Sequence, residues 1–100
     1  MALKSINQVL NKIVTVFNVE PETVMREGIE LWLAKRREEI LEEIEGILSK
    51  YGVGSVDELE RKIADGDVPE HPAWEDLIEV ENLLEGLKKI EELLDDLRKS

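Results

Sequence analysis

The sequence predicts an all-α fold, and three observations predict it. Residues 21–50 run from Pro21 to Lys50 with no internal proline, and Pro21 beside Glu20 and Glu22 suits the opening turn of one long helix. The second half of that helix carries Ile40, Leu41, Ile44, Ile47, Leu48 and Tyr51 at spacings of 1, 3, 3, 1 and 3, a coiled-coil-like seam. Near the end of the chain Leu77, Val80, Leu84, Leu87, Ile90, Leu94 and Leu97 recur at spacings of 3, 4, 3, 3, 4 and 3, the partner stripe that such a seam requires. The expected architecture is a single domain. Residues 1–37 form an N-terminal helix-turn-helix dimerisation module. It shares the long central helix with an antiparallel two-helix coiled-coil hairpin, residues 38–100, capped by a short helix.

In chain order, Leu3, Ile6, Leu10, Ile13, Val14 and Phe17 fall at helical spacing and predict an amphipathic first helix over residues 3–17. The β-branched run Ile13-Val-Thr-Val-Phe17 also fits a strand. Asn18-Val-Glu-Pro21 is then a tight connection into the long helix, whose first half places Val24, Gly28, Leu31 and Trp32 on one side. Tyr51-Gly-Val-Gly-Ser55 closes that helix, because glycine accepts the left-handed conformation of a C-terminal cap. Ser55-Val-Asp-Glu58 is a capping-box pattern, with Glu58 reaching back to the cap. The short helix it opens has Val56, Leu59 and Ile63 on a narrow apolar face and ends at Asp65-Gly-Asp67. Two prolines stiffen Val68-Pro-Glu-His-Pro-Ala-Trp-Glu-Asp76, and Pro72 is expected to begin the last helix. Leu83 and Ile78 lie beside the main stripe of that helix, and two helices leave apolar surface uncovered.

The formal net charge of −11 hides a split. Residues 1–37 hold six bases against four acids, a net +2, whereas residues 38–100 hold seven bases against twenty acids, a net −13. So acidic a chain opposes nonspecific binding of nucleic acid, since phosphate contacts need basic groups. The one run of three bases, Lys35-Arg36-Arg37, restricts any DNA contact to the first third. The acidic remainder suits a basic protein partner whose encounter is electrostatically steered; its bland alternative is a solvated helix face. The chain has no cysteine, so disulfides and thiolate metal sites are excluded, and a small elongated helical chain commonly compensates by association. No apolar run reaches the ~18 residues of a membrane span, and no signal-peptide pattern opens the sequence, so a cytoplasmic location is expected. Abundant Glu with a single Gln fits a thermophile.

Val19-Glu-Pro-Glu-Thr-Val-Met-Arg-Glu-Gly-Ile-Glu-Leu-Trp-Leu33 resembles the turn and second helix of ribbon-helix-helix antitoxins and repressors, with Val19, Val24, Met25, Arg26, Glu27, Gly28, Ile29, Trp32 and Leu33 at the matching positions. The resemblance implies a dimer interlocked through two helices per protomer. It also implies a DNA-reading strand before the first helix, for which Met1-Ala-Leu-Lys-Ser5 is too short. The second half, with its Lys-Tyr-Gly-Val turn, acidic Gly loop and Pro-Ala-Trp-Glu-Asp76 segment, resembles small archaeal antitoxin-type proteins encoded beside a toxin ribonuclease.

Catalytic chemistry finds few candidates. His71 is the single histidine, nucleophilic triads need a base beside Ser or Cys, and Gly52-Val-Gly54 lacks the continuation of a phosphate loop. Glu38, Glu39, Glu42, Glu43 and Glu45 lack the Glu-x-x-His pairs of a di-metal bundle and read as coiled-coil flanks. Neither an enzyme nor a cofactor is expected. Phe17, Gly28, Leu31 and Trp32 are the expected dimerisation residues. Trp74, rimmed by Glu70, Glu75 and Asp76, is expected either to plug the end of the bundle or to anchor a partner, with His71 packed against it. The leading expectation is an antitoxin-like protein that dimerises through residues 3–33 and covers a basic toxin, a nuclease, with its acidic hairpin. The alternatives are a coiled-coil assembly module without a toxin and a transcriptional regulator contacting DNA directly.

Overall fold

Four helices account for the described chain: α1 (Ile6–Phe17), α2 (Pro21–Lys50), α3 (Val56–Ala64) and α4 (Glu70–Lys99). The computed structural model describes residues 5–100, and the protein is all-α. Leu3 and most of the segment weighed as a ribbon, Met1–Lys4, lie outside the described residues. The segment Ile13–Phe17 is helical rather than extended. Ser5 and Gln8 close a capping box at the start of α1, where the Ser5 hydroxyl accepts from the Gln8 amide and the Gln8 side chain accepts from the Ser5 amide. Asn18, in the left-handed region at φ 54°, turns the chain from α1 into α2.

The two 30-residue helices α2 and α4 run antiparallel. Arg26 bonds to Leu97, Arg37 to Glu91, the Ile40 side chain lies against Gly86, and Tyr51 bonds to Asp76, so position rises on one helix as it falls on the other. Two tight turns make the return possible. Gly52 (φ 64°) gives α2 a Schellman ending, in which the Gly52 amide donates to the Ser49 carbonyl and the Val53 amide to that of Leu48, with Leu48 and Val53 both buried. Gly66 (φ 75°) repeats the device at the end of α3, with the Asp67 amide on the Lys62 carbonyl at 2.9 Å. Ser55 caps α3 as expected, although Glu58 reaches back to the Gly54 amide, one residue before the cap. The helical run of α4 is broken at His71 (φ −110°, ψ 123°), and regular helix begins at Pro72.

One apolar core joins α2, α3 and α4. Leu33, Ile40, Ile44 and Leu48 from α2 meet Leu59 and Ile63 from α3 and Ala73, Leu77, Val80, Ile90 and Leu94 from α4, with Val53 closing the turn. Of the expected seam, Leu41, Ile47 and Leu87 are half-buried, whereas Leu84 is 39% exposed and falls outside the core. Leu83 packs there instead. In the antiparallel register fixed by Ile40 against Gly86 and Tyr51 on Asp76, Leu83 falls level with Ile44 and packs on the core, while Leu84 projects ~100° further round α4.

The molecule is long and thin, 62 × 38 × 16 Å with a radius of gyration of 20.2 Å, against ~13 Å for a compact chain of this length. No residue of α1 is buried. The core therefore sits in the α2–α3–α4 hairpin, and the N-terminal third contributes little of it beyond Leu33.

Candidate partner-binding site

The far end of the hairpin, where α3 meets the start of α4, carries a cleft of about 610 Å³ lined by Glu60, Ile63, Ala64, Glu70, His71, Trp74 and Glu75. Helical geometry explains how Trp74 comes to face it. Ala73 is fully buried with Leu59 and Leu77 at this end of the core, and the next residue points ~100° round the helix. Trp74 is thus 52% exposed, and the place of the expected plug is filled by Ala73 and Leu59. His71 does not depend on Trp74 for a polar partner: its Nδ1 lies 2.8 Å from the Glu75 carboxylate, and both side chains are mostly exposed.

Asp76 departs from the expected rim. Its carboxylate turns inward and accepts from the Tyr51 hydroxyl and from Lys50 Nζ at 2.9 Å, with only 14% of the side chain exposed. Those two donors hold the Asp76 carboxyl below its usual range. The same hydrogen bond, with burial and the neighbouring negative charge, pushes the Tyr51 phenol up to about 12. Lys62 donates to the Tyr51 carbonyl at 3.0 Å, so α3 is tied to the same corner. Asp76 is a fastener between α2 and α4 that fixes the pose of the cleft-bearing turn. The sequence concealed this because Tyr51 reads as apolar seam and Asp76 as one more exposed acid. Glu60 and Ala64 were also missed as cleft residues; their only signal was the i, i+4 spacing beside the buried pair Leu59 and Ile63.

The opposite end is apolar and open. Phe17 is 70% exposed, Trp32 63%, Leu31 is also exposed, and Gly28 has nothing within 4 Å of where a β-carbon would stand. A shallow groove of about 360 Å³ between α1 and α2 is lined by Ile6, Val9, Leu10, Ile13, Val24 and Met25. The basic run is largely engaged within the chain: Arg37 Nε bonds Glu91 at 2.7 Å, which raises its pKa further, and Arg36 pairs with Glu43 at 3.8 Å. Arg26, a match to the ribbon-helix-helix pattern, donates to the Leu97 and Ser100 carbonyls at the end of α4, where the Leu97 carbonyl also accepts from the Ser100 amide and hydroxyl.

Among the described residues, no group of three His, Cys, Asp or Glu side chains is placed to hold a metal ion, and no helix is long and apolar enough to cross a membrane. The fold and its surface define an acidic helical-hairpin protein with an apolar N-terminal end and an acidic cleft lined in part by a tryptophan. A family model described as the Uncharacterized protein MJ0235 family matches residues 1–100, and the chain belongs to that family. Uncharacterized protein MJ0235 of Methanocaldococcus jannaschii is 36% identical over 55 residues, covering 55% of this chain and 67% of that protein. No solved structure matches.

Proposed function

We propose that this chain is an antitoxin-like regulatory protein. It associates through α1 and the first half of α2, as the ribbon-helix-helix resemblance implies, and uses its acidic hairpin to cover a basic, nucleic-acid-binding enzyme. The observation that carries the proposal is Trp74, a large aromatic half exposed in a cleft whose lining is acidic, at the end of a hairpin with a net charge of −13 over residues 38–100. An aromatic anchor beside desolvating neighbours is the usual form of an interface hot spot. Complementary charge would steer the encounter and occupy the partner's phosphate-binding groove, so inhibition would be steric and electrostatic. Supporting this over direct DNA binding, Arg36 and Arg37 are already paired with Glu43 and Glu91.

The test is copurification of the tagged chain from its native host at low salt, followed by identification and reconstitution of what is retained. A small basic nuclease whose activity the chain inhibits, with an affinity that falls at least about tenfold for Trp74→Ala, is the expected result. A chain that recovers only itself at every salt concentration supports the structural assembly module instead, for which the open apolar surface of Phe17, Leu31 and Trp32 is the favouring observation.

A further inference from the structure

We infer that the cleft between α3 and α4 receives an arginine side chain of the basic partner, the guanidinium lying on the Trp74 indole and bonded to the carboxylates that line the cleft; this rests on the proposed function above. Three features of the cleft lead there.

Its lining includes the apolar side chains of Trp74, Ile63 and Ala64, from which a bare hydrated cation gains little. Its lining also carries Glu60, Glu70 and Glu75. Glu75 is shared with His71, while Glu60 and Glu70 have no ion pair among the described residues. The nearby bases point elsewhere, Arg61 toward the Asp57 carbonyl and Lys62 toward that of Tyr51. These carboxylates are also too dispersed to form a metal site, as no metal-holding cluster exists among the described residues.

Carboxylates in one cleft with an aromatic side chain match an extended, planar cation. Guanidinium stacks on indole, keeps its charge, and offers five donors in a rigid fork, whereas an ammonium is compact and strongly hydrated. The aliphatic stem of arginine would lie over Ala64 and Ile63, using the part of the cleft that a small ion leaves wet. At about 610 Å³ the cleft has room for such a side chain and a turn of the backbone that carries it.

The experiment uses the intact chain labelled with ¹⁵N and two blocked peptides of equal length and charge, one presenting Arg and the other Lys among Gly and Ser. The two indole N–H resonances are assigned with Trp32→Phe. The expected result is a saturable shift of the Trp74 indole and of the Ala64 and Glu70 amides. The Arg peptide should bind about threefold more tightly than the Lys peptide. Trp74→Ala, checked as helical by circular dichroism, should remove that preference, and Trp74→Phe should keep part of it. Glu60→Gln with Glu70→Gln should weaken both peptides.

Equal affinities for the two peptides, or shifts scattered along the acidic faces of α2 and α4 with the Trp74 indole unmoved, would overturn the inference. The two proposals fail separately. An inhibited basic partner whose affinity falls with Trp74→Ala but is unchanged when its own contacting arginines are replaced by lysine leaves the antitoxin-like function standing and removes the arginine site. Arg-selective binding at Trp74 with no inhibited partner does the reverse.

Discussion

Residue by residue, the molecule separates groups that look alike in the sequence. Glu70, Glu75 and Asp76 sit within one acidic segment, yet only Asp76 is turned inward, where Tyr51 and Lys50 hold it. Its folded pKa is depressed, so its contribution to stability is present above the ordinary carboxylate value of 3.8 and is lost as pH falls below that through the lowered folded value. Tyr51 has the opposite sign. Its folded pKa is raised from 10.0 to about 12, so its contribution is complete below pH 10.0 and disappears as pH climbs toward 12. Thermal midpoints of Tyr51→Phe and wild type should therefore differ at neutral pH and converge at strongly alkaline pH. A constant difference across that range would show that the phenol does not bond Asp76. At the other end, Arg26→Ala should fray the last turn of α4, seen as faster amide exchange from Leu94 onward; unchanged exchange would mean that its bonds to the Leu97 and Ser100 carbonyls are not formed.

At the scale of elements, the helices were legible because each carries a strong local signal: a proline at the opening of α2, a serine cap on α3, glycines in the left-handed region after α2 and α3. The lengths of α2 and α4 and their antiparallel return follow from apolar periodicity and two short turns. The choice between Leu83 and Leu84 was not legible residue by residue, because both are leucines on the same side of α4 and only the register against α2 decides. That register sets Leu83 level with the buried Ile44. Leu83→Ala should thus destabilise the fold clearly more than Leu84→Ala; the reverse order would place the seam on the wrong face. Ile44→Ala should cost ~2–5 kcal/mol in chemical denaturation, most of the stability of a domain this size. Gly46→Ala, with open space at its β-carbon, should instead add ~1 kcal/mol, and a loss there would reveal a neighbour that the single chain does not have.

For the whole molecule, the contrast is between a hairpin that buries its seam and an N-terminal end that buries almost nothing. Phe17, Leu31 and Trp32, the dimerisation residues that the ribbon-helix-helix resemblance and the face of Gly28 imply, are all exposed in the single chain, an apolar surface that association would cover. Since Gly28 has no near neighbour in the chain, Gly28→Leu should fold as well as wild type yet sediment as a lighter species at micromolar concentration. A wild type that is itself monomeric would remove the N-terminal interface. The cleft was only half legible: Trp74, Glu70 and Glu75 stand out in the sequence, but the contribution of α3 depends on how the Gly52 and Gly66 turns fold it back. That arrangement makes the acidic end a surface for a basic partner, and the most direct measurement is the salt dependence of the affinity for the copurified basic protein. It should be compared between wild type and a variant carrying Glu60→Lys, Glu70→Lys and Glu75→Lys together. Exposed charges contribute only ~0–1 kcal/mol each to stability, so the variant should remain folded. It should bind at least about tenfold more weakly in low salt, with a shallower dependence on salt. An affinity equal to that of wild type, insensitive to salt in both, would contradict the acidic cleft as the seat of function.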